Sequence, residues 1–285
     1  MKKISILLSM LLFVMLNIQQ LSANNPDTPQ TQEPHPTLHV VLLGDSNTWI
    51  GGDDCDKPRG WNKWFKELFQ PASIKSYARS GATWTNTKAT KFNPEENIGT
   101  LGNDNVIYNQ VVRLKQAVQE GKQATPHIII IGAGTNDIWF RSKRPGLYTM
   151  AADKAMAEDA ASIIAKPVNQ VLSLTESVRF NYELLHQAFP EARIIILSPM
   201  QTTKVPTQDI HIFGDVLQTM AEKIGIGIGI IRMDTEEFID RKVEEKRHTN
   251  TYDGVHTSQA GARNNARLLN NAISQLIGTN NTESE

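Results

Sequence analysis

Short runs of aliphatic residues recur along the chain and alternate with longer stretches that have helical periodicity. The runs are continuous rather than alternately apolar and polar, which is typical of strands covered on both faces. The predicted strands are residues 38–43, 127–131, 194–197 and 229–233, with a short additional strand near 74–78. The predicted helices are residues 61–70, 106–119, 176–189, 209–223 and 258–277. This order predicts an α/β fold, in which helices cover both faces of a parallel sheet of about five strands.

The two ends of the chain differ in character from the segment between them. Residues 1–23 contain Lys2 and Lys3, an apolar stretch of about 13 residues and the small-residue site Leu21-Ser22-Ala23, which together predict a secretory signal peptide. The apolar stretch is shorter than the roughly 20 residues of a membrane span. We therefore expect export to the periplasm or beyond the cell, and no stable membrane insertion after cleavage.

The rest of the chain is predicted to contain one domain. Residues 24–37 include four prolines among polar neighbours and are interpreted as a flexible leader. Residues 38–279 form the predicted domain, and residues 280–285 form a tail predicted to be disordered.

The amino-acid composition limits the classes of partner and of site that the chain could have. The chain has 29 basic and 30 acidic side chains, so it has no charge excess that would attract nucleic acid or an anionic membrane. The single cysteine, Cys55, has no partner for an intramolecular disulfide and is interpreted as a bystander thiol. Its acidic neighbours, Asp53, Asp54 and Asp56, lack the ligand spacing of a calcium loop and are interpreted as a solvated loop.

Polar residues follow the predicted strands at the points where those strands end. Ser46 follows the first strand in the segment GDSN, Gly81 follows the short strand in SGAT, and Asn136 follows the next strand in GTND. Asp253 and His256, in the segment DGVH, stand just before the last helix. Because ligand sites in such sheets form beyond the carboxyl ends of the strands, we expect these groups to meet at one edge.

An activated serine is one interpretation of this set. A serine hydroxyl needs a base to accept its proton, and a histidine serves best when a carboxylate fixes its tautomer. Ser46, His256 and Asp253 fit these three catalytic roles. The oxyanion needs preorganised donors, which the N–H groups of Ser46 and Gly81 and the side-chain amide of Asn136 can supply. Taken singly, each motif is also compatible with an ordinary turn or helix cap.

Taken together, GDSN, SGAT, GTND and DGVH resemble the signature blocks of the GDSL family of serine esterases and lipases, also called SGNH hydrolases. The resemblance implies a flavodoxin-like, three-layer α/β/α fold and hydrolysis of acyl esters without a metal or organic cofactor. The family's signature residues and its acid fall on Ser46, Gly81, Asn136, His256 and Asp253.

Two departures from the family pattern concern the first two blocks. Asn47 stands where the family name expects leucine, but it adjoins the nucleophile and is not one of the catalytic groups. The second block is short, and Gly99 and Gly102 follow it, so Gly81 has two competitors as the glycine of that block.

Two long connections, residues 84–105 and 138–175, contain more sequence than a crossover needs and are interpreted as binding loops. Trp139, Phe140, Arg141 and Arg144 follow the GTND block in the second connection. Aromatic faces suit sugar rings or acyl chains, and arginines suit carboxylates, so this stretch is predicted to bind substrate, with Trp139, Phe140 and Arg141 as the candidate residues. The alternative is that the aromatic residues pack under the loop while the arginines face solvent.

These observations favour an exported serine esterase that removes acetyl or another short acyl group from a carbohydrate. A lipase, a thioesterase or an acyltransferase would use the same machinery. A binding protein that recognises a glycan without turnover is the alternative from another functional class. The expected partner is a small-molecule or glycan ester, no cofactor is expected, and the sequence leaves the oligomeric state open.

Overall fold

The computed structural model describes residues 34–278. The predicted signal peptide, most of the predicted leader and the predicted tail lie outside the described residues. The strands are β1 (His39–Gly44), β2 (Ser73–Ser76), β3 (Ile128–Gly132), β4 (Arg193–Leu197) and β5 (Ile228–Ile231). The helices are α1 (Ser46–Trp49), α2 (Trp61–Phe69), α3 (Ile107–Gln119), α4 (Thr135–Trp139), α5 (Ala152–Ala157), α6 (Ala160–Ala165), α7 (Leu174–Ala188), α8 (Thr207–Ile224), α9 (Arg241–Lys246) and α10 (Gln259–Gly278).

The five strands form one parallel sheet in the order β2-β1-β3-β4-β5. Gly44 pairs with Gly132, and Gly132 pairs with Leu197, so β1, β3 and β4 end at the same level. The chain leaves β1 toward one edge of the sheet for β2 and then crosses to the other side for β3. The strand order therefore reverses at β1 and β3, which is where α/β sheets place their ligand sites. The predicted α/β class with about five parallel strands is confirmed.

The sheet is buried on both faces because successive side chains of each strand point to opposite layers. Val41 and Leu43 of β1 pack with α3, α7 and α8, whereas Val40 and Leu42 pack with α2 and α10. Both pairs are completely buried. Fully burying an aliphatic side chain of this size contributes about 1.5–3 kcal/mol, so a polar residue in either register would be strongly destabilising. This two-sided burial explains why the strands are continuous aliphatic runs.

The helix α2 shows how the outer layers are built. Its apolar residues Trp61, Phe65 and Phe69 recur every fourth position and are buried, and the rings of Phe65 and Phe69 stack at a centroid distance of 4.9 Å. The helix ends at Gln70, which has φ of 48° in the left-handed region. The rows of buried rings pack against α10, so the last helix of the domain covers the same face of the sheet.

The two long connections have different structures. Residues 84–105 contain no helix or regular strand, and Thr83 and Val106 at their ends form an isolated parallel bridge. Residues 138–175 include α5, α6 and two 3-10 turns, Arg141–Lys143 and Val168–Gln170. Within residues 34–278, no helix combines the length and the apolar character needed to span a bilayer.

Candidate active site

The first strand delivers Ser46 to the carboxyl edge of the sheet through a sharp turn. A Cβ atom on Gly44 would lie 2.3 Å from the carbonyl oxygen of Gly132 on the neighbouring strand, so only glycine fits where β1 ends. Asp45 then caps the four-residue helix α1, since its Oδ1 accepts from the N–H of Asn47 at 3.0 Å. Ser46 is therefore the first residue of a helix that begins directly at the end of a strand.

A buried glutamine on α3 fixes this turn from below. The Oε1 atom of Gln110 accepts from the N–H of Gly44 at 2.7 Å, and its Nε2 donates to the carbonyl of the same residue at 2.9 Å. Gln110 is completely buried, so neither bond competes with water. The side-chain amide thus replaces a strand partner for the residue two positions before Ser46. Sequence reasoning missed this residue because nothing in the helical pattern of α3 distinguishes it from a surface glutamine.

Asp253 and His256 form a closed turn around one carboxylate. Oδ1 of Asp253 accepts from the N–H groups of Val255 and His256 at 2.9 and 2.8 Å, while Oδ2 lies 2.6 Å from Nδ1 of His256. Partial burial raises the pKa of Asp253, but these hydrogen bonds and the nearby imidazole outweigh it and hold that pKa below its ordinary value. The carboxylate therefore stays charged at neutral pH and faces the imidazole.

The same imidazole meets the serine. Nε2 of His256 lies 2.9 Å from Oγ of Ser46, although the two residues are 210 positions apart. With Nδ1 donating to Asp253, Nε2 is the acceptor of the neutral ring and faces the hydroxyl proton. The three side chains form a continuous Asp–His–Ser hydrogen-bonded chain, which is the arrangement that activates a serine hydroxyl as a nucleophile.

A second buried acid holds the turn that carries Asp253. The carboxylate of Glu244, on α9, accepts from the N–H groups of Thr249, Asn250 and Thr251 at 2.8 to 3.3 Å. It also accepts from the hydroxyl of Thr251, which in turn accepts from the N–H of Gly254 at 3.1 Å. Glu244 is 1% exposed and was not a candidate in the sequence, because α9 is too short to show a periodic pattern.

The oxyanion candidates lie on three neighbouring strand ends. Among the hydrogen bonds of residues 34–278, none uses the N–H of Ser46 or of Gly81. Gly81 has φ of +79°, and a Cβ there would lie 2.5 Å from Cγ2 of Thr100 and 2.7 Å from N of Leu101, so glycine is required. Nδ2 of Asn136 donates to the carbonyl of Ala82 at 3.0 Å, which ties α4 to the loop of Gly81. One amide hydrogen of Asn136 remains for another acceptor.

Asp137 joins the loop after β2 to the helix after β3. Its carboxylate accepts from the N–H groups of Trp84 and Thr85, both at 2.9 Å, and from the Thr85 hydroxyl at 2.6 Å. The indole N–H of Trp84 donates to the carbonyl of Ala133 at 3.1 Å. Burial raises the pKa of Asp137, and the three donors oppose that increase. This contact holds Asn136 and Gly81 in one rigid unit, a role the sequence suggests for Asp137 only as a helix cap.

Asp45 places a buried carboxyl group beside the serine. Complete burial raises the pKa of Asp45 to about 7, against the opposing effects of the Asn47 N–H and the nearby His256. Asp45 is 3% exposed, and its carboxylate accepts one hydrogen bond, from Asn47. The GDSN segment thus places a buried carboxyl group with a raised pKa one residue before Ser46.

The predicted substrate-binding residues lie where α4 ends. Trp139, the last residue of α4, is 41% exposed and stacks on Phe140 with ring centroids 5.2 Å apart. Arg141 is exposed. Arg144, in contrast, is buried and donates from Nε and Nη2 to the hydroxyl of Thr83. The aromatic pair and Arg141 are therefore open to a ligand, whereas Arg144 serves to attach the connection to the loop after β2.

Two residues beside His256 escaped the sequence interpretation. The ring of Tyr252 stacks on the imidazole of His256 at a centroid distance of 5.7 Å and an interplanar angle of 20°. The guanidinium carbon of Arg59 lies 4.7 Å from the centroid of the Tyr252 ring. Both side chains are exposed. Tyr252 directly precedes the DGVH block and Arg59 is almost 200 positions away, so neither residue is distinctive in the sequence, because only the fold brings them together.

The thiol of Cys55 takes no part in this chemistry. Cys55 is 1% exposed, and burial raises the pKa of its thiol to about 12, so the thiol remains protonated and inert. Asp53 pairs with Arg79, whose Nη1 lies 2.9 Å from Oδ1 of the acid. Within the described residues, no cluster of three or more His, Cys, Asp or Glu side chains has the arrangement of a metal site.

Most of the sequence matches one protein-family model. A family model described as GDSL-like lipase/acylhydrolase matches residues 40–269, a range that contains every residue of the site. No curated protein matches the chain significantly.

Solved structures of similar fold cover most of the domain. A possible lipase from Chitinophaga pinensis DSM 2588 is 16% identical, with a TM-score of 0.53 over 84% of this chain and 98% of that one. A family two carbohydrate esterase from Clostridium thermocellum, in complex with cellohexaose, is 14% identical, with a TM-score of 0.52 over 87% of this chain and 66% of that one. At these identities the likeness shows a shared fold.

Proposed function

The chain belongs to the family of GDSL-like lipases and acylhydrolases and is an ester-hydrolysing enzyme; from this premise we propose that it is an exported serine esterase that removes acetyl or other short acyl groups from carbohydrates. The observation that carries the proposal is the hydrogen-bonded chain Asp253–His256–Ser46, with heavy-atom distances of 2.6 and 2.9 Å. It stands beside N–H groups of Ser46 and Gly81 that no other group of the described residues uses.

The proposed reaction has two halves that use the same groups. Nε2 of His256 takes the hydroxyl proton of Ser46 as Oγ attacks the ester carbonyl carbon, and Asp253 stabilises the imidazolium. The negative charge on the carbonyl oxygen is stabilised by the N–H groups of Ser46 and Gly81 and by the side-chain amide of Asn136. His256 then donates its proton to the alcohol oxygen as the ester C–O bond breaks, and the acyl group remains on Ser46.

Water completes the cycle. His256 takes a proton from a water molecule that attacks the acyl-enzyme, and it returns that proton to Oγ of Ser46 as the carboxylic acid is released. No step in this scheme uses a metal or an organic cofactor.

Exposed aromatic side chains support a carbohydrate as the alcohol component. Trp139 is 41% exposed and lies on the same short helix as Asn136. Tyr252 is 45% exposed and stacks on His256. Flat aromatic faces open to solvent are suited to pyranose rings, which stack on them. The family two carbohydrate esterase from Clostridium thermocellum, which has the same fold and is bound to cellohexaose, agrees with this class of substrate.

Covalent labelling tests the serine chemistry directly. The parent protein, Ser46→Ala and His256→Ala are exposed to a fluorophosphonate and their intact masses compared. We expect one adduct on Ser46 of the parent and none on either variant. His186→Ala is the matched control, because His186 lies in the last turn of α7, at the opposite edge of the sheet where β4 begins. A folded parent protein that takes no adduct would contradict the mechanism.

Acyl-chain length separates an acetyl esterase from a lipase on the same machinery. Turnover of 4-nitrophenyl acetate, butyrate and octanoate is followed by turnover of acetylated xylose and glucose derivatives. We expect kcat/KM to decrease with chain length and acetylated sugars to be deacetylated. A steep preference for octanoate would refute the acetyl assignment and leave the serine mechanism intact. Export is tested separately, by the mass of the protein recovered from a periplasm, which we expect to begin after Ala23.

A further inference from the structure

An arginine of fixed position stands beside the histidine and has no function in the reaction described above. The Arg59 guanidinium covers the ring of Tyr252 at 4.7 Å, and that ring is stacked on His256. The stack connects an exposed cation to the general base through one aromatic side chain. Cation–π contact holds the planar guanidinium against the ring and leaves its edge N–H groups directed away from the ring face.

The backbone of Arg59 is attached to the turn that carries His256. The hydroxyl of Thr257, the residue after His256, donates to the carbonyl of Arg59 at 2.6 Å. On the other side, a Cβ atom on Gly60 would lie 2.1 Å from Cα of Gly51, so the chain after Arg59 is pressed against the segment after α1. These two contacts fix the Cα of Arg59 relative to both Ser46 and His256. A residue on an unattached surface loop would not be fixed in this way.

The charge of Arg59 is not neutralised within the described part of the chain. No aspartate or glutamate of residues 34–278 forms an ion pair with it, whereas Arg79, Arg179, Arg232 and Arg241 each pair with a carboxylate. The catalytic chain contains one carboxylate, that of Asp253, and both of its oxygens already accept from N–H groups or face the imidazole. Arg59 thus retains its donors for a ligand.

The position of Arg59 indicates whether it would contact the acyl part or the alcohol part of the ester. The acyl half is held at Ser46, Gly81 and Asn136, whereas the departing alcohol receives its proton from His256 and must lie on that side. Tyr252 and Arg59 lie on the side of His256. We propose that Arg59 is an anion subsite for a carboxylate carried by the alcohol, and that the substrate class is an O-acetylated acidic sugar. This inference rests on the proposed function, because it assigns the alcohol of that reaction.

The chemistry of the guanidinium fits this ligand. Arginine binds a carboxylate through two parallel N–H donors in a fixed plane, which a lysine ammonium does not reproduce. The contact is solvent-exposed, so its contribution is closer to that of a surface ion pair than to that of a buried one. We therefore expect a preference of up to about fivefold in kcat/KM for the acidic over the neutral sugar at low ionic strength, and a smaller one at high salt.

The test compares two sugars that differ only in charge. The substrates are the 2-O- and 3-O-acetyl esters of methyl glucuronoside and of methyl glucoside, assayed with the parent, Arg59→Gln and Arg59→Lys. Arg263→Gln is the matched control, because Arg263 is also exposed and lies 4.1 Å from the ring centroid of a tryptophan, Trp64. Turnover of 4-nitrophenyl acetate, which carries no sugar, reports the chemistry by itself.

The expected result is a preference for the glucuronoside that Arg59→Gln abolishes and Arg59→Lys retains in part. The preference is the ratio of kcat/KM for the two sugars, so a change in the chemistry, which 4-nitrophenyl acetate turnover reports, cancels from it. Arg263→Gln is expected to keep the full preference. Equal kcat/KM for the two sugars in the parent, or a preference that survives in Arg59→Gln, would overturn the subsite.

A direct binding measurement separates this proposal from the proposed esterase activity. Saturation-transfer NMR with methyl glucuronoside, the deacetylated product, reports occupancy whether or not the protein turns over an ester. If no ester is hydrolysed, the esterase proposal fails, and the subsite stands only if methyl glucuronoside binds the parent and not Arg59→Gln. Absence of binding to the parent in that case overturns the subsite as well.

Discussion

A buried carboxylate at the end of β5 is expected to make the fold sensitive to acid. Asp234 is 2% exposed and accepts from Nε and Nη2 of Arg232 at 2.8 and 2.6 Å and from the hydroxyl of Ser198 at 2.8 Å. Nδ1 of His211 lies 2.7 Å from its second oxygen. Burial raises the pKa of Asp234, but these donors outweigh it and bring the pKa from 3.8 down to about 2.

The sign and size of the effect follow from the difference in pKa between the two states. The folded-state pKa is below the unfolded value, so the stabilisation is complete above about pH 4 and decreases as the pH falls toward 2. A difference of nearly two pKa units corresponds to about 2 kcal/mol of unfolding free energy. About half of this is lost between pH 5 and pH 3, and most of it by pH 2. This window lies below the range in which histidines ordinarily titrate.

Urea unfolding of the parent and of Asp234→Asn at pH 7, 5, 3 and 2 measures this contribution. The variant is less stable at pH 7, and it is expected to lose about 2 kcal/mol less than the parent between pH 5 and pH 2. Glu237→Gln, which removes an exposed carboxylate outside the network, is the control and should follow the parent. If Asp234→Asn and the parent lost the same free energy on acidification, the assignment of this carboxylate as a strongly stabilised anion would be refuted.

Three further changes test the site itself. Asp253→Asn is expected to lower kcat by about 10³- to 10⁴-fold with little change in KM, since the amide favours the wrong tautomer of His256; steady-state kinetics decides, and a loss below tenfold would contradict it. Gly81→Ala is expected to destabilise the fold by about 1–3 kcal/mol in urea unfolding and to lower kcat, because its backbone has φ of +79°. Gln110→Leu leaves the buried N–H of Gly44 without a partner, while the Gly44 carbonyl keeps the N–H of Arg79, so we expect a loss of about 1–3 kcal/mol and a fall in kcat; an unchanged kcat in the folded fraction would show that Gln110 does not position Ser46.

The strands were predictable because burial on both faces makes them continuous aliphatic runs. The long helices were predictable because burial of one face gives apolar residues at helical spacing. The predicted strand 38–43 corresponds to β1 (His39–Gly44), and the predicted helix 61–70 corresponds to α2 (Trp61–Phe69). The predicted strand 229–233 was placed too late, since β5 is Ile228–Ile231. The apolar pattern continues into Met233, but Arg232 and Asp234 leave the sheet because they bond to each other and to groups on α8 and after β4.

The short helices were missed for a local reason. α1 (Ser46–Trp49) and α4 (Thr135–Trp139) are four and five residues long, so they contain too few turns to show an apolar period. α1 begins after Gly44 with Asp45 as its side-chain cap, whereas α4 begins after Gly134, which has no capping side chain. These residues can be seen in the sequence, but the same residues are equally typical of a turn.

The sequence predicts the motif residues of the site but not the buried residues that hold those motifs in place. Ser46, Gly81, Asn136, Asp253 and His256 each lie in a block of recognisable residues at the end of a predicted element. The groups that hold these blocks do not. Contacts between residues tens of positions apart exist only after the helices pack, and their polar side chains resemble surface residues in the sequence.

The division between supported and free groups explains why the motifs predict the reaction better than the substrate. Gln110, Asp137 and Glu244 are buried, and each binds the backbone of a turn that carries a member of the site, so the reacting groups are fixed by internal contacts. The aromatic side chains Trp139 and Tyr252 are exposed, and within residues 34–278 neither forms a side-chain hydrogen bond, although Tyr252 stacks on His256. Substitution at Trp139 would change the alcohol accepted without disturbing the catalytic geometry, whereas substitution at the buried set would impair every substrate alike. Specificity in this enzyme is therefore expected to reside in residues that the reaction itself does not constrain.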